Sequence, residues 1–127
     1  MKLVQNWYLP EQDIHFEEYL NQNHNYQFTQ RLKSLAFVDS FNLAVDIGAC
    51  VGFWTKDLCK IFNQVICFEP YKPSADCLEK NLNYYKNYKL YRTALSSNDN
   101  STKNFFLIKN QLAEIRLKTK GTFLKIL

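Results

Sequence analysis

Apolar and polar positions along the chain divide it into three stretches of different rhythm. Up to residue 12 the pattern is irregular and extended, and Pro10 biases its predecessor away from helix. Asp13 is placed to cap a short helix over IHFEEYL, which the polar run NQNHN ends. From Tyr26 to Phe37 the apolar positions Tyr26, Leu32, Leu35 and Ala36 partly fit helical spacing and predict a second helix. The rhythm then changes. Leu43 to Ile47 is a short apolar run around one acid, and FWTKDLCKIF can place Phe53, Leu58, Ile61 and Phe62 on one helical face. Gln64 to Phe68 is a second strand-like run. A strand, turn, helix and strand this closely spaced require a right-handed crossover and parallel strands. Pro73 suits the first turn of a helix running to about Tyr85, and YKLYRTALS reads as a third strand. Beyond it, NDNSTKN is a loop, while FFLI at 105 to 108, IRLKT at 115 to 119 and FLKIL at 123 to 127 read as strands. The pattern is α/β. It divides into a helical lead-in over 1–40, a βαβαβ core over 41–97 and a β-rich tail over 98–127 whose place in the sheet it leaves open.

Chemistry concentrates in the turn after the first of these strands. Two of the three glycines in the chain, Gly48 and Gly52, lie there. A glycine turn between a parallel strand and a helix lets backbone N–H groups approach a ligand, because no Cβ fills the space. The dinucleotide form of this turn, G-x-G-x-x-G, admits a pyrophosphate. Here the turn reads Gly48-Ala49-Cys50-Val51-Gly52, with Cys50 in place of the close-approach glycine. A cofactor without phosphates fits better. S-adenosylmethionine carries an adenosine, a sulfonium and an amino-acid tail. Asp46 is placed to meet its ammonium group, and Glu69, at the end of the second strand, can accept both ribose hydroxyls.

The string VDIGACVGFWT followed by CFEP resembles the FkbM-type S-adenosylmethionine-dependent methyltransferases, with further agreement at Leu78 and Asn81 of CLEKNL, at TALS over 93–96 and at the leading NWYLP. The resemblance runs from about Asn6 to Ser97. It implies a Rossmann-like methyltransferase fold with a mostly parallel sheet, and methyl transfer, often to hydroxyls of sugars or natural products. Carried over, it implies that Asp46, Gly48, Ala49 and Gly52 surround the methionine moiety, with Cys50 in the same turn, that Glu69 holds the ribose, and that Pro70 and Ala94 lie near the adenine. Family members continue into a K-I-D strand and an acidic-glycine turn, where this chain has Lys125-Ile126-Leu127. The resemblance therefore implies an incomplete sheet and a missing acceptor-binding half, and it leaves the general base unidentified.

An incomplete sheet would leave the strand over 43–47 with an open edge, a route to pairing with another chain. FFLI or IRLKT could cover it. Otherwise the expectation is a homodimer, a second polypeptide or a truncated product. Composition adds bounds. A chain of 127 residues fits one domain, and 46% hydrophobic with 16% aromatic residues argue against disorder. No apolar run resembles a signal peptide or approaches the ~20 residues of a membrane span, so the expected location is cytoplasmic, with no membrane partner. The net charge of +4 hides an asymmetry: residues 1–50 carry 3 basic and 6 acidic groups, while 51–127 carry 13 and 6. The lysines of the basic half are scattered and read as a solvated surface, which makes nucleic acid the less favoured partner. Cys50, Cys59, Cys67 and Cys77 form no C-x-x-C pair and no histidine lies close by, so no metal site or disulfide is expected. His15 and His24 receive no role, and Trp54 and Tyr71 read as packing residues that could touch adenine. Three classes of function remain: an enzyme that methylates a small molecule, a cofactor-binding module without activity, and a basic nucleic-acid-associated protein.

Overall fold

A computed structural model of the chain describes residues 1–22 and 25–96 in full, and the backbone of strands over 105–107, 115–119 and 122–126. The extended lead-in is a hairpin, β1 (Lys2–Val4) and β2 (Trp7–Leu9), paired antiparallel with Val4 opposite Trp7. Gln5 and Asn6 form its turn with φ of 48° and 66°. Two consecutive positive φ values match the twist of a two-residue hairpin. Strands of three residues are too short for alternation to reveal them. Asp13 accepts the Phe16 N–H at 2.9 Å and opens α1 (His15–Asn21) as expected. In α2 (Phe28–Leu35) the expected apolar face holds only in part: Leu35 packs on the core, but Leu32 is 52% exposed, while Arg31 is 7% exposed. Arg31 bonds the Tyr26 carbonyl and Asn25 Oδ1, and its Nε lies 3.0 Å from Asp57 Oδ2. A cation anchors this helix where aliphatic packing was expected.

The core unit follows the predicted order: β3 (Leu43–Ile47), α3 (Phe53–Ile61), β4 (Gln64–Phe68), α4 (Lys72–Asn81) and β5 (Tyr88–Tyr91). The sheet runs β3-β4-β5 and is parallel throughout, with Asp46 opposite Cys67 and Cys67 opposite Leu90. Both crossovers advance in the same direction, so α3 and α4 fall on one face. There Ala44, Val65 and Cys67 pack against Cys59, Phe62, Leu78 and Leu82. On α3, Phe53, Leu58 and Phe62 face inward as expected, Ile61 is exposed, and Thr55 and Cys59 join the inward face. Small side chains at these positions let the helix approach the strands. Cys59, Cys67 and Cys77 are buried, and all four cysteines are free.

The third strand stops at Tyr91 rather than Ser96. Glu69 N–H donates to the Tyr91 carbonyl at 3.0 Å, and the next N–H on that side of β4, that of Tyr71, is taken by Glu69 Oε1 at 2.8 Å, which ends the ladder. Residues 93–95 instead turn across the ends of the strands. Helix α4 likewise ends before Tyr85, in a turn closed by Tyr85 N–H on the Leu82 carbonyl at 2.9 Å.

Strands β6 (Phe105–Leu107), β7 (Ile115–Thr119) and β8 (Thr122–Ile126) pair antiparallel in a sheet of their own. They do not cover β3, whose strand neighbour among the described residues is β4. On the face away from the helices Leu43, Val45 and Ile47 are about half exposed. The expected loop over 98–104, His24 and Leu127 lie outside the described residues.

Asn81 joins the hairpin to the core. Its Oδ1 accepts the Tyr8 N–H at 2.8 Å, and its Nδ2 donates to the Tyr8 and Val51 carbonyls at 3.0 and 2.8 Å. One side-chain amide thus acts as a further strand for β2 and ties it to the glycine turn. Nearby, Gly52 has φ +93°, and a Cβ there would lie 3.1 Å from Leu82 Cδ1 and 3.2 Å from Leu78 Cγ. Gly52→Ala should therefore lower unfolding stability by about 1–3 kcal/mol, from strained φ and overpacking together. Urea denaturation would read this as a lower midpoint at unchanged slope; an unchanged midpoint would refute the close packing.

Candidate functional site

A cavity of about 420 Å³ opens at the carboxyl ends of the parallel strands. This is where open α/β sheets bind ligands, and the volume lies in the range of small-molecule pockets, about 300–1,000 Å³. The strand ends and glycine turn supply Asp46, Gly48, Ala49, Cys50, Glu69 and Pro70 to its wall, and the turn after β5 supplies Thr93, Ala94 and Leu95. Of the cofactor-site residues expected from the sequence, Gly52 stands apart from the lining. It is buried against α4, so its lack of a side chain serves helix packing rather than ligand approach. Tyr71 is also outside the lining, while Trp54 is within it.

The other wall was not legible in the sequence. Phe16, Tyr26, Gln27 and Gln30 come from α1, α2 and the loop between them, and with Phe53 they form a largely aromatic roof. The Tyr26 ring packs on Phe16 and Phe53 with centroids 4.9 and 5.3 Å apart. These residues are scattered in sequence and meet because the lead-in docks onto the core through Arg31, Asn81 and the packing of Leu9, Phe16 and Leu20 against Val51, Phe53 and Cys77. The helical period of residues 26–37 was the available signal, but it pointed to Leu32 rather than Arg31.

The turn satisfies its own backbone. Gly48 and Ala49 N–H donate to the Phe68 carbonyl at 2.9 and 3.0 Å, Gly52 N–H to the Ala49 carbonyl at 2.8 Å, and Cys50 N–H to Glu69 Oε2 at 2.8 Å. Val51 N–H lies against the Cys50 thiol. The expectation that these groups face a ligand is thereby corrected: they point inward and make no nest for a phosphate. Cys50 tolerates its φ of 51° because its N–H is held in this way. Burial, with Glu69 nearby, pushes the Cys50 thiol far above its ordinary range, so it is a neutral wall residue and not a nucleophile.

Glu69 is only 1% exposed. Its Oε1 accepts the Tyr71 N–H at 2.8 Å, and its Oε2 accepts Cys50 N–H. Asp46 Oδ2 accepts the Thr55 hydroxyl at 2.5 Å. Each carboxylate oxygen accepts about two hydrogen bonds, so both acids keep acceptor capacity toward the cavity. Burial raises the pKa of both groups, the backbone bonds at Glu69 and the Thr55 bonds at Asp46 oppose the rise, and the Asp46 charge adds to it at Glu69. No lysine, arginine or histidine is among the described lining residues. The cavity is an acceptor-rich, acidic site that repels anions and suits hydroxyls and cations.

The molecule is thus a Rossmann-like α/β unit with an acidic cavity at its strand ends. Two known structures align with part of the chain at a distance. A phosphoethanolamine N-methyltransferase of Haemonchus contortus, in complex with phosphoethanolamine and S-adenosylhomocysteine, aligns with 65% of this chain and 18% of its own, at 19% identity and a TM-score of 0.48. A protein described as a candidate RNA methyltransferase, from Pyrococcus horikoshii, aligns with 72% of this chain and 45% of its own, at 21% identity and a TM-score of 0.44. The chain thus spans less than half the length of either, and the likeness is one of fold. No protein-family model and no curated protein matches the chain. No helix among the described residues is long and apolar enough to cross a membrane.

The raised carboxyls give a pH signature. A folded-state pKa above the unfolded one means the folded protein holds its proton more tightly, so stability is lost as pH rises through the folded pKa and regained as it falls toward the ordinary carboxylate value. Wild type should accordingly gain melting temperature relative to Asp46→Asn as pH is lowered from neutral toward the ordinary aspartate value of 3.8. Parallel melting curves for the two proteins across that range would refute the burial of Asp46 as an uncompensated charge.

Proposed function

We propose that the cavity binds S-adenosylmethionine and that the protein belongs to a methyltransferase of this fold. One observation carries the reading: Glu69, buried at the end of β4, turns its remaining acceptor capacity toward a cavity with no cationic lining residue, while the turn's amides face inward. That arrangement accepts two vicinal hydroxyls of a ribose and disfavours a pyrophosphate. Asp46, aligned by Thr55, is the partner for an ammonium group. Gly48, Ala49 and Cys50 wall the side next to Asp46, and Pro70 and Ala94 flank the opposite side beyond Glu69, where an adenine would pack.

When bound, the cofactor supplies an electrophilic methyl group on a sulfonium. The chain's own contribution is to orient and to exclude water: the aromatic roof of Phe16, Tyr26 and Phe53 closes the cavity above the two acids. Proximity and alignment supply much of the barrier reduction in a direct displacement. A hydroxyl acceptor also needs a base. Both acids in the wall are engaged by protein donors, so neither is assigned that role.

The finer reading, O-methyl transfer to a sugar or other small hydroxylated molecule, rests on the FkbM-type string from Val45 to Pro70. Calorimetric titration of S-adenosylhomocysteine tests the cofactor site. Wild type should bind it, and Glu69→Ala should bind about ten- to a hundredfold more weakly, the loss expected for one or two hydrogen bonds to a charged group. Folded wild-type protein that gives no binding heat would overturn the assignment. Transfer of labelled methyl groups to hydroxyl acceptors would then separate an enzyme from an inactive binding module.

A further inference from the structure

Gln27, like Cys50, is a residue of the cavity wall held at positive φ. It stands at φ 51° and ψ 31°, in the left-handed region, immediately before α2. A residue with a Cβ is held there at a cost of about 1–2 kcal/mol. The surroundings impose it. Arg31 N–H donates to the Gln27 carbonyl at 3.0 Å, and the Arg31 guanidinium binds the Tyr26 carbonyl and the Asn25 side chain just upstream. Strain of this kind concentrates at ligand sites, which makes the side chain worth following.

The Gln27 amide has a defined polarity. Trp54 Nε1 lies 2.8 Å from it, and an indole nitrogen can only donate, so the amide atom facing Trp54 is the oxygen. The Gln27 Nε2 group, with two N–H donors, is consequently the end left for the cavity that both residues line. Trp54 is followed in α3 by Thr55, whose hydroxyl holds Asp46. Successive residues of the first turn of α3 therefore fix an anionic acceptor and a neutral donor on one wall. The rest of the lining is apolar, acidic or already bonded, apart from Gln30, Thr93 and the Tyr26 hydroxyl.

We infer that Gln27, oriented by Trp54, receives the carboxylate of the cofactor's amino-acid tail, while Asp46 receives its ammonium. The inference rests on the cofactor assignment above and adds a second pole to it. A zwitterion needs both poles, and a cavity with two carboxylates alone would repel the carboxylate end. A neutral amide supplies the donor without adding a cation that would attract phosphates. Trp54 is a positioning residue, acting through the Gln27 amide.

The test compares two probes, S-adenosylhomocysteine, which has the tail, and 5′-methylthioadenosine, which lacks it. Gln27→Glu keeps an oxygen for Trp54 Nε1 but replaces the donor with a second oxygen. It should weaken S-adenosylhomocysteine at least about tenfold, the scale of one charge-assisted hydrogen bond, and change methylthioadenosine affinity less than about twofold. Trp54→Phe keeps a ring in place and frees the amide to turn, and it should show the same selectivity with a smaller loss. Near-ultraviolet circular dichroism and melting confirm that both variants are folded; if Gln27→Glu is not, the selectivity of Trp54→Phe decides. Equal losses for both probes, or none, overturn the role of Gln27 while leaving the cofactor site standing. Failure of folded wild type to bind either probe overturns both.

Discussion

A buried carboxylate in a protein of this size is tolerated only if its charge is answered, and at Glu69 the answer is two backbone N–H groups. One comes from Cys50 in the turn after β3, the other from Tyr71 just beyond β4. The same contact therefore closes the end of the sheet, fixes a cysteine at positive φ and leaves acceptor capacity facing the cavity. Without it the turn would have an unsatisfied amide beside an uncompensated charge, the combination that low-dielectric interiors penalise most. Cavity wall and turn geometry are one feature.

The second constraint is the docking of the lead-in. A three-stranded parallel sheet with two helices on one face is only half of a doubly wound unit, and it cannot by itself roof a cavity at its strand ends. Asn81 and Arg31 provide the roof indirectly. Asn81 satisfies β2 and the Val51 carbonyl together, and Arg31 pins the chain from Asn25 to Gln27 next to Asp57 of α3. Both are polar groups in buried positions, and each is acceptable there because its partners are backbone atoms or charges that also need satisfaction. Polar satisfaction and the apolar cluster of Leu9, Leu20, Val51 and Cys77 together set where the aromatic wall of Phe16, Tyr26 and Phe53 stands.

The sheet itself is asymmetric. One face is covered by α3 and α4, while Leu43, Val45 and Ile47 remain about half exposed on the other, together with the stacked rings of Phe68 and Tyr91. A strand flanked by parallel neighbours and buried on both faces is written as a continuous apolar run, and LAVDI has that character. Its composition suits a more enclosed position than β6, β7 and β8 provide, since they pair among themselves.

What the sequence determined by itself was local and closely spaced. The strands over 43–47 and 64–68, the glycine turn and the acids at the strand ends fall within 28 residues, so period, turn chemistry and charge constrain one another. Asp13 as a helix cap and the parallel order of the sheet followed from the same short-range rules. Tertiary structure alone decided the rest. The hairpin was too short to show alternation, Arg31 took a buried position that helical period assigns to an aliphatic residue, and β5 ended where the Tyr71 N–H turns to the Glu69 carboxylate. Gly52 belonged to the packing of α4, not to the cavity. Gln27 and Trp54 became neighbours across 27 positions through a hydrogen bond that no local pattern encodes. Periodicity reports which side of an element meets apolar matter; it carries no information about which distant polar group will satisfy another, and that pairing built half of this site.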